Sequence, residues 1–176
     1  GKERRVAMPT IITVDPATRL EGHLSVQVQS EAGRVVSAES SGMMFRGFEN
    51  LLVGKDPRDA AHITQRICGV CPISHAMASC LAMESISGFR VPDKARLIRN
   101  LILGANFLQS HLLHFYQLSL LSYINGPAMP PWTPTYKVEV SPTSAEHQTL
   151  LNHYLQSFAI RRKAHEMATI FAGRMP

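Results

Sequence analysis

The chain has 176 residues, 45% hydrophobic and 18% charged, a balance that supports a buried core and excludes a disordered polymer. Its formal net charge of +5 comes from scattered basic residues, such as Arg34, Arg96 and the Arg161-Arg162-Lys163 run; no aromatic-interleaved stripe gathers them, so no nucleic-acid partner is expected. Three cysteines, two of them in one C-x-x-C pair, do not make the framework of a disulfide-stapled secreted domain and read as metal ligands or redox thiols.

The opening GKERRVAMPTIITV has a charged start without the apolar run and small-residue cleavage site of a secretory signal, so none is expected. Residues 10–39 read as strands. TIITV precedes a turn signal at Asp15-Pro16, and HLSVQVQ alternates Leu24, Val26 and Val28 against Ser25, Gln27 and Gln29, the period of a half-buried strand. Glu31-Ala32-Gly33 reads as the hairpin connection into RVVSAES. Next, residues 45–53 suit a short helix stopping at Gly54. Asp56-Pro57 opens another, PRDAAHITQRI, because proline fits a first helical turn.

Past the cysteine pair, Pro72 can start a helix that runs to Gly88. Asp93 can cap a helix of about thirty residues ending near Asn125-Gly126-Pro127. Its apolar positions Leu97, Leu101, Leu108, Leu112 and Phe115 read as helix core. Arg96, Arg99, Asn100, Gln109, His111, His114 and Gln117 interrupt it too often for a membrane span, so no direct span is expected. PAMPPWTPTYKV is a proline-rich crossing segment. A capping box, Thr143-x-x-Glu146, then opens a last helix running to Gly173. The expected fold is α+β: a single domain over residues 1–176, with a small antiparallel sheet at 10–40 and a mainly helical part at 45–176. The long helices are expected to pack antiparallel across the proline-rich turn.

The chemistry concentrates in RICGVCPISH, residues 66–75. A C-x-x-C loop brings two sulfurs together, and a following helix N-terminus favours negative charge on Cys71. His75 lies one helical turn beyond Cys71 on the same face. Several readings stay open on spacing alone. A structural zinc site needs a fourth ligand beyond Cys68, Cys71 and His75; a redox or catalytic metal suits two thiolates with a nitrogen donor beside one sulfur. A thioredoxin-like dithiol normally follows a strand, whereas this pair follows a helical pattern. Inert cysteines are the plainest reading, and Cys80 is read as a packed core residue.

Arg66-Ile67-Cys68-Gly69-Val70-Cys71-Pro72-Ile73-Ser74-His75 resembles the first cysteine motif, R-x-C-G-x-C-x-x-x-H, of nickel-iron hydrogenase large subunits. Arg19-Leu20-Glu21-Gly22-His23, Phe45-Arg46-Gly47-Phe48-Glu49 and Asp56-Pro57-Arg58-Asp59-Ala60 are similar to three further segments of that family, in the same order. HFYQLS, RRKAHEM and GRMP also resemble it, so the similarity covers nearly the whole chain.

The resemblance implies reversible heterolytic cleavage of dihydrogen into protons and electrons at a nickel-iron centre whose iron carries carbon monoxide and cyanide. It makes Cys68 a terminal nickel ligand, Cys71 a thiolate bridging nickel and iron, and His75 a hydrogen-bond partner of a bridging sulfur. Glu21 matches the carboxylate that takes the departing proton, and Glu49 a magnesium ligand. Arg66 reads either as an active-site cation or as an ion-pair partner of Asp56 or Asp59.

In the family, nickel is held by four cysteines, two of them from a D-P-C-x-x-C-x-x-H segment that this sequence does not contain. A complementary C-terminal segment or chain is therefore expected to supply them, the chain being a separately encoded, cleaved or excised N-terminal part. A small subunit bearing iron-sulfur clusters is expected to take the electrons. The compartment stays open between periplasm, membrane attachment through a partner, and cytoplasm. Two alternatives remain: a non-catalytic scaffold that keeps the fold without the metals, and a zinc-binding module.

Overall fold

Three antiparallel strands open the computed structural model, which describes residues 9–133 and 142–175: β1 (Thr10–Ala17), β2 (Leu24–Glu31) and β3 (Arg34–Gly42), paired in that order. They belong to the first of two units, which ends at Arg46; the second begins at Gly47. The hairpin falls where it was expected. Ala32 and Gly33 have φ of 47° and 76°, the pair of left-handed residues that lets a two-residue turn match the twist of its strands.

The expected turn at Asp15-Pro16 is instead absorbed into β1. The strand continues to Ala17, with the register slipping between Val14 and Ala17, because a proline that cannot donate to the ladder is tolerated at an irregularity of an edge strand. Alternation in β2 made a strand but not a dry face: Ser25 and Gln29 are as half-buried as Val26. Ile11, Ile12, Val35 and Val36 are all exposed.

The second unit starts with α1 (Phe48–Leu52), shorter than the 45–53 expected. Gly47 before it has φ 71°, a left-handed residue that no right-handed helix can pass through, so Phe45 and Arg46 fall outside. Asp56 accepts a hydrogen bond from the Arg58 N–H at 2.9 Å and caps a 3₁₀ turn, Pro57–Asp59, that leads into α2 (Ala60–Thr64). α3 (Pro72–Ser87) starts on Pro72 and stops at left-handed Gly88, as its sequence signals indicated.

α4 (Asp93–Leu112) departs from expectation at both ends. Asp93 is not the cap but the first helical residue, its carboxylate paired with Arg96 at 3.1 Å, while Pro92 takes the cap position. The helix does not continue unchanged to residue 125: it widens into a π-helical stretch, Leu113–Ser119, and tightens into a 3₁₀ turn, Leu120–Ser122. α5 (Ser144–Ala172) carries the complete capping box, with Glu146 N–H donating to Thr143 Oγ1 and Thr143 N–H donating to Glu146 Oε2. Contacts of residue 109 with 161, 117 with 157 and 125 with 147 show that α5 runs antiparallel to α4 and its extension.

The buried face of α4 and its π-helical extension is the reverse of the one expected. Leu97, Leu101, Leu108 and Phe115 are 51 to 57% exposed, and Leu112 is only half-buried; Ala105, Asn106, Gln109 and Leu113 are buried instead. Small residues of α5, Ser157, Ala164 and Ala168, let the helices approach closely along that polar stripe. Apolar packing gathers at two places: Leu120, Ile124, Trp132 and Tyr154 form one cluster, and Ile73, Ala105 and Ala168 another. Trp132 comes from the proline-rich crossing and meets the Tyr154 ring edge-on, 4.8 Å between centroids. Residues 134–138 of that crossing lie outside the described residues.

Trp132 also lies over Gly126, where a β-carbon would run into the indole ring. Gly126→Ala is expected to destabilise the protein by about 1 to 3 kcal/mol, the usual cost of overpacking, read as a lower midpoint in denaturant. At the other end of the crossing, Thr143→Ala is expected to cost about 1 kcal/mol by removing the helix cap. Hydrogen bonds from the Thr143 hydroxyl, then from its backbone, hold the Glu146 carboxyl below its usual range. A carboxyl that titrates lower when folded contributes stability above its unfolded value and loses it as pH falls through the lowered one. The Thr143→Ala difference should therefore shrink in acid, as denaturation at neutral and low pH will show.

Candidate metal centre

The cysteine loop is held between α2 and α3. After α2 the chain turns through hydrogen bonds from Arg66 N–H to the Ile63 carbonyl and from Ile67 N–H to Thr64, 3.0 Å each. The Thr64 hydroxyl lies 3.3 Å from both the Ala61 and the His75 carbonyls, tying the end of α2 to the first turn of α3. Cys71 is the cap residue of α3, and its carbonyl accepts from Ser74 N–H at 3.1 Å.

This arrangement brings one sulfur of Cys68, one of Cys71 and a ring nitrogen of His75 within 4.8 Å of one another. It is the one such group of potential metal ligands among the described residues. All three side chains are half-buried, and neither cysteine is joined in a disulfide. The Cys71 N–H donates to Sγ of Cys68 at 3.4 Å, a contact that fixes this sulfur within the loop. Soft sulfur donors with an imidazole beside them fit nickel, iron or zinc and do not fit magnesium or calcium. The pair follows α2 rather than a strand, which removes the thioredoxin-like setting.

The other residues singled out by sequence lie elsewhere. Glu21 is exposed in the β1–β2 connection of the first unit, between left-handed Arg19 and Gly22. Glu49 is exposed in the first turn of α1. Arg66 is exposed just before the cysteines, and Asp56, one of its two expected partners, is engaged by Arg58 at 2.5 Å. Cys80 is half-buried and lines a cavity of about 190 Å³ with Ile73, Met77 and Ile102; the pair Cys68 and Cys71 does not reach it.

Sequence reasoning passed over Asn106 and Gln109. They are 1% and 0% exposed, in a helix whose Leu97, Leu101 and Leu108 are exposed. Gln109 Nε2 donates to the Val70 carbonyl inside the cysteine loop at 2.5 Å, and Asn106 Nδ2 donates to Ser74 Oγ at 3.1 Å. A buried amide left unpaired costs about 1 to 3 kcal/mol, and no buried side-chain polar atom among the described residues is left so. The available signal was their i, i+3 spacing on one helix face, with Ser110 adjoining.

Residues 46–137 match the family model described as nickel-dependent hydrogenase, and residues 11–41 match one described as HoxL-like. The chain is 48% identical over 174 residues to the periplasmic [NiFeSe] hydrogenase large subunit of Desulfomicrobium baculatum, covering 94% of this chain and 34% of that protein. It is 49% identical over 114 residues to the hydrogenase-2 large chain of Escherichia coli, covering 65% of this chain and 20% of the other. Among solved structures, the Ni-Fe-Se hydrogenase of D. vulgaris Hildenborough superposes with a TM-score of 0.78 at 48% identity, over 96% of this chain and 35% of that one. The chain thus spans about a third or less of the length of the relatives it matches.

Proposed function

Because the chain belongs to the nickel-dependent hydrogenase family, whose members imply a nickel-iron centre, we propose that it is part of a hydrogenase catalytic subunit and supplies two of the four thiolates of that centre. The observation that carries this reading is the convergence of Cys68, Cys71 and His75 within 4.8 Å at the head of α3. When bound, such a centre offers soft metal ions at which dihydrogen is polarised and its electrons are taken up.

The chain's own residues then divide the work. Cys68 and Cys71 would hold metal through their sulfurs, Cys71 as the thiolate matched to the family's bridging position. His75 donates a ring N–H toward that sulfur and tempers its donor strength. Glu21, by its match to the family's motif, would be the carboxylate that takes the departing proton. Glu49 offers a hard oxygen to magnesium, and Arg66 contributes positive charge beside the thiolates. The iron of such a centre would carry carbon monoxide and cyanide.

Two thiolates leave the site open, so the remaining ligands come from a complementary C-terminal segment or chain. The exposed row of Leu97, Leu101 and Leu108 on α4 and Phe115 in its π-helical extension supports such a covering partner. The relatives are named large subunits or large chains, which supports a companion small subunit carrying the iron-sulfur clusters. No helix among the described residues is long and apolar enough to cross a membrane.

Metal analysis with infrared spectroscopy of the purified native complex tests the proposal. Nickel and iron together with carbon monoxide and cyanide stretches are the expected result. Zinc alone overturns it in favour of a zinc-binding module, and absence of any metal in favour of a scaffold.

A further inference from the structure

A continuous line of hydrogen-bond donors runs from α5 to the sulfur of Cys68. Arg161 Nε donates to Oε1 of Gln109 at 3.3 Å, and Gln109 Nε2 donates to the Val70 carbonyl at 2.5 Å. That carbonyl shares its peptide group with the Cys71 N–H, which donates to Cys68 Sγ at 3.4 Å. Guanidinium, side-chain amide, peptide and sulfur therefore all point the same way.

The orientation of the Gln109 amide follows from its neighbours. Arg161 can only donate and a carbonyl can only accept, so the flipped amide would set donor against donor and acceptor against acceptor. The remaining capacity of Nε2 goes to Ser110 Oγ at 3.0 Å and Asn106 Oδ1 at 3.3 Å. Arg161 is itself braced: Nη1 donates to Gln117 Oε1 at 2.9 Å, Gln117 Nε2 to Ser157 Oγ at 3.3 Å, and Ser157 Oγ to the Tyr154 carbonyl at 2.6 Å. Gln109 and Ser157 are fully buried, so water does not compete. In a low dielectric, aligned hydrogen bonds polarise one another. A permanent cation at one end then draws electron density from the acceptor at the other.

We propose that Gln109 and Arg161 are positioning residues of the metal centre: they fix the Cys68–Cys71 loop through the Val70 peptide and lower the donor strength of the Cys68 thiolate. This rests on reading the cysteine pair as half of a nickel-iron site. Neither side chain touches the reacting atoms, and both act through one peptide group.

The test uses the assembled complex containing this chain, with Gln109→Glu, Arg161→Gln, Arg161→Lys and Gln117→Leu, read by metal content, infrared band positions and the midpoint potential of the centre. Gln109→Glu replaces the donor by an acceptor of the same shape, and Arg161→Gln removes the charge. Both should retain nickel and iron, move the carbon monoxide band to lower wavenumber, make the centre harder to reduce and slow hydrogen uptake roughly tenfold. Arg161→Lys should bring band and potential back toward the unsubstituted enzyme. Gln117→Leu, which loosens Arg161 without cutting the line, should lower thermal stability and leave the band in place.

Band and potential unchanged in both Gln109→Glu and Arg161→Gln, with stability alone reduced, overturn the inference. Should Gln109→Glu fail to assemble, the two Arg161 variants decide by the same readings. An unsubstituted complex without nickel or infrared bands removes the hydrogenase reading and the inference together; bands that are present but do not move remove the inference alone.

Discussion

On the proposed role of its sulfur, Cys71→Ser is expected to abolish hydrogen uptake by the assembled complex, a loss beyond the roughly hundredfold ceiling of changes made one layer away from a metal. A hydroxyl is a hard donor that stays protonated at neutral pH, so it would not replace the proposed bridging thiolate. The fold should survive. Cys71 is the cap residue of α3 and makes no side-chain cap hydrogen bond, whereas serine is among the best residues at that position. Loss of uptake with α3 intact, measured by circular dichroism and thermal melting beside the activity assay, is thus the expected pattern. Full activity in the variant would remove the bridging role.

Glu21→Gln should slow proton exchange about 10² to 10⁴-fold, the range that a positioned acid or base contributes, with nickel and iron still present. The substitution keeps shape and hydrogen-bonding reach but removes the ability to accept a proton. Glu21 is exposed in a connection shaped by the left-handed backbone of Arg19 and Gly22, so no packed contact is disturbed. The informative comparison is hydrogen-deuterium exchange against electron-transfer rate in one preparation: exchange should fall further than uptake limited elsewhere. An exchange rate equal to that of the unsubstituted enzyme argues against the relay.

The two predictions probe separate steps. Cys71→Ser would remove a proposed metal ligand, and its effect should appear in metal content or infrared bands as well as in rate. Glutamine at position 21 should leave both spectroscopic and metal readings unaltered. A variant at position 21 that loses metal would point to a structural duty for that carboxylate instead.

Much of the local architecture could be read directly. Gly88 and Gly173 end their helices in left-handed geometry, Pro72 begins one, and Thr143 and Glu146 cap each other as their spacing indicated. Such features involve residues a few positions apart, and their energetics are complete within one turn of chain. The order of four motifs around the cysteine pair likewise pointed to the nickel-iron hydrogenase family, and the family match bears this out.

The sequence alone thus determined the order and type of the elements, the ends of α3 and α5 and the candidate metal-ligand set within residues 68–75, because short-range sterics and donor chemistry travel with the residues that carry them. The tertiary structure alone decided which side of α4 turns inward. Its leucines made the outer face look like the core, but docking on the cysteine loop and on the small residues of α5 selected Asn106 and Gln109 instead. A buried amide is stable only where a carbonyl or guanidinium distant in sequence meets it. The partners here, Val70 and Arg161, lie 39 and 52 residues from Gln109, a separation that no helical period reveals.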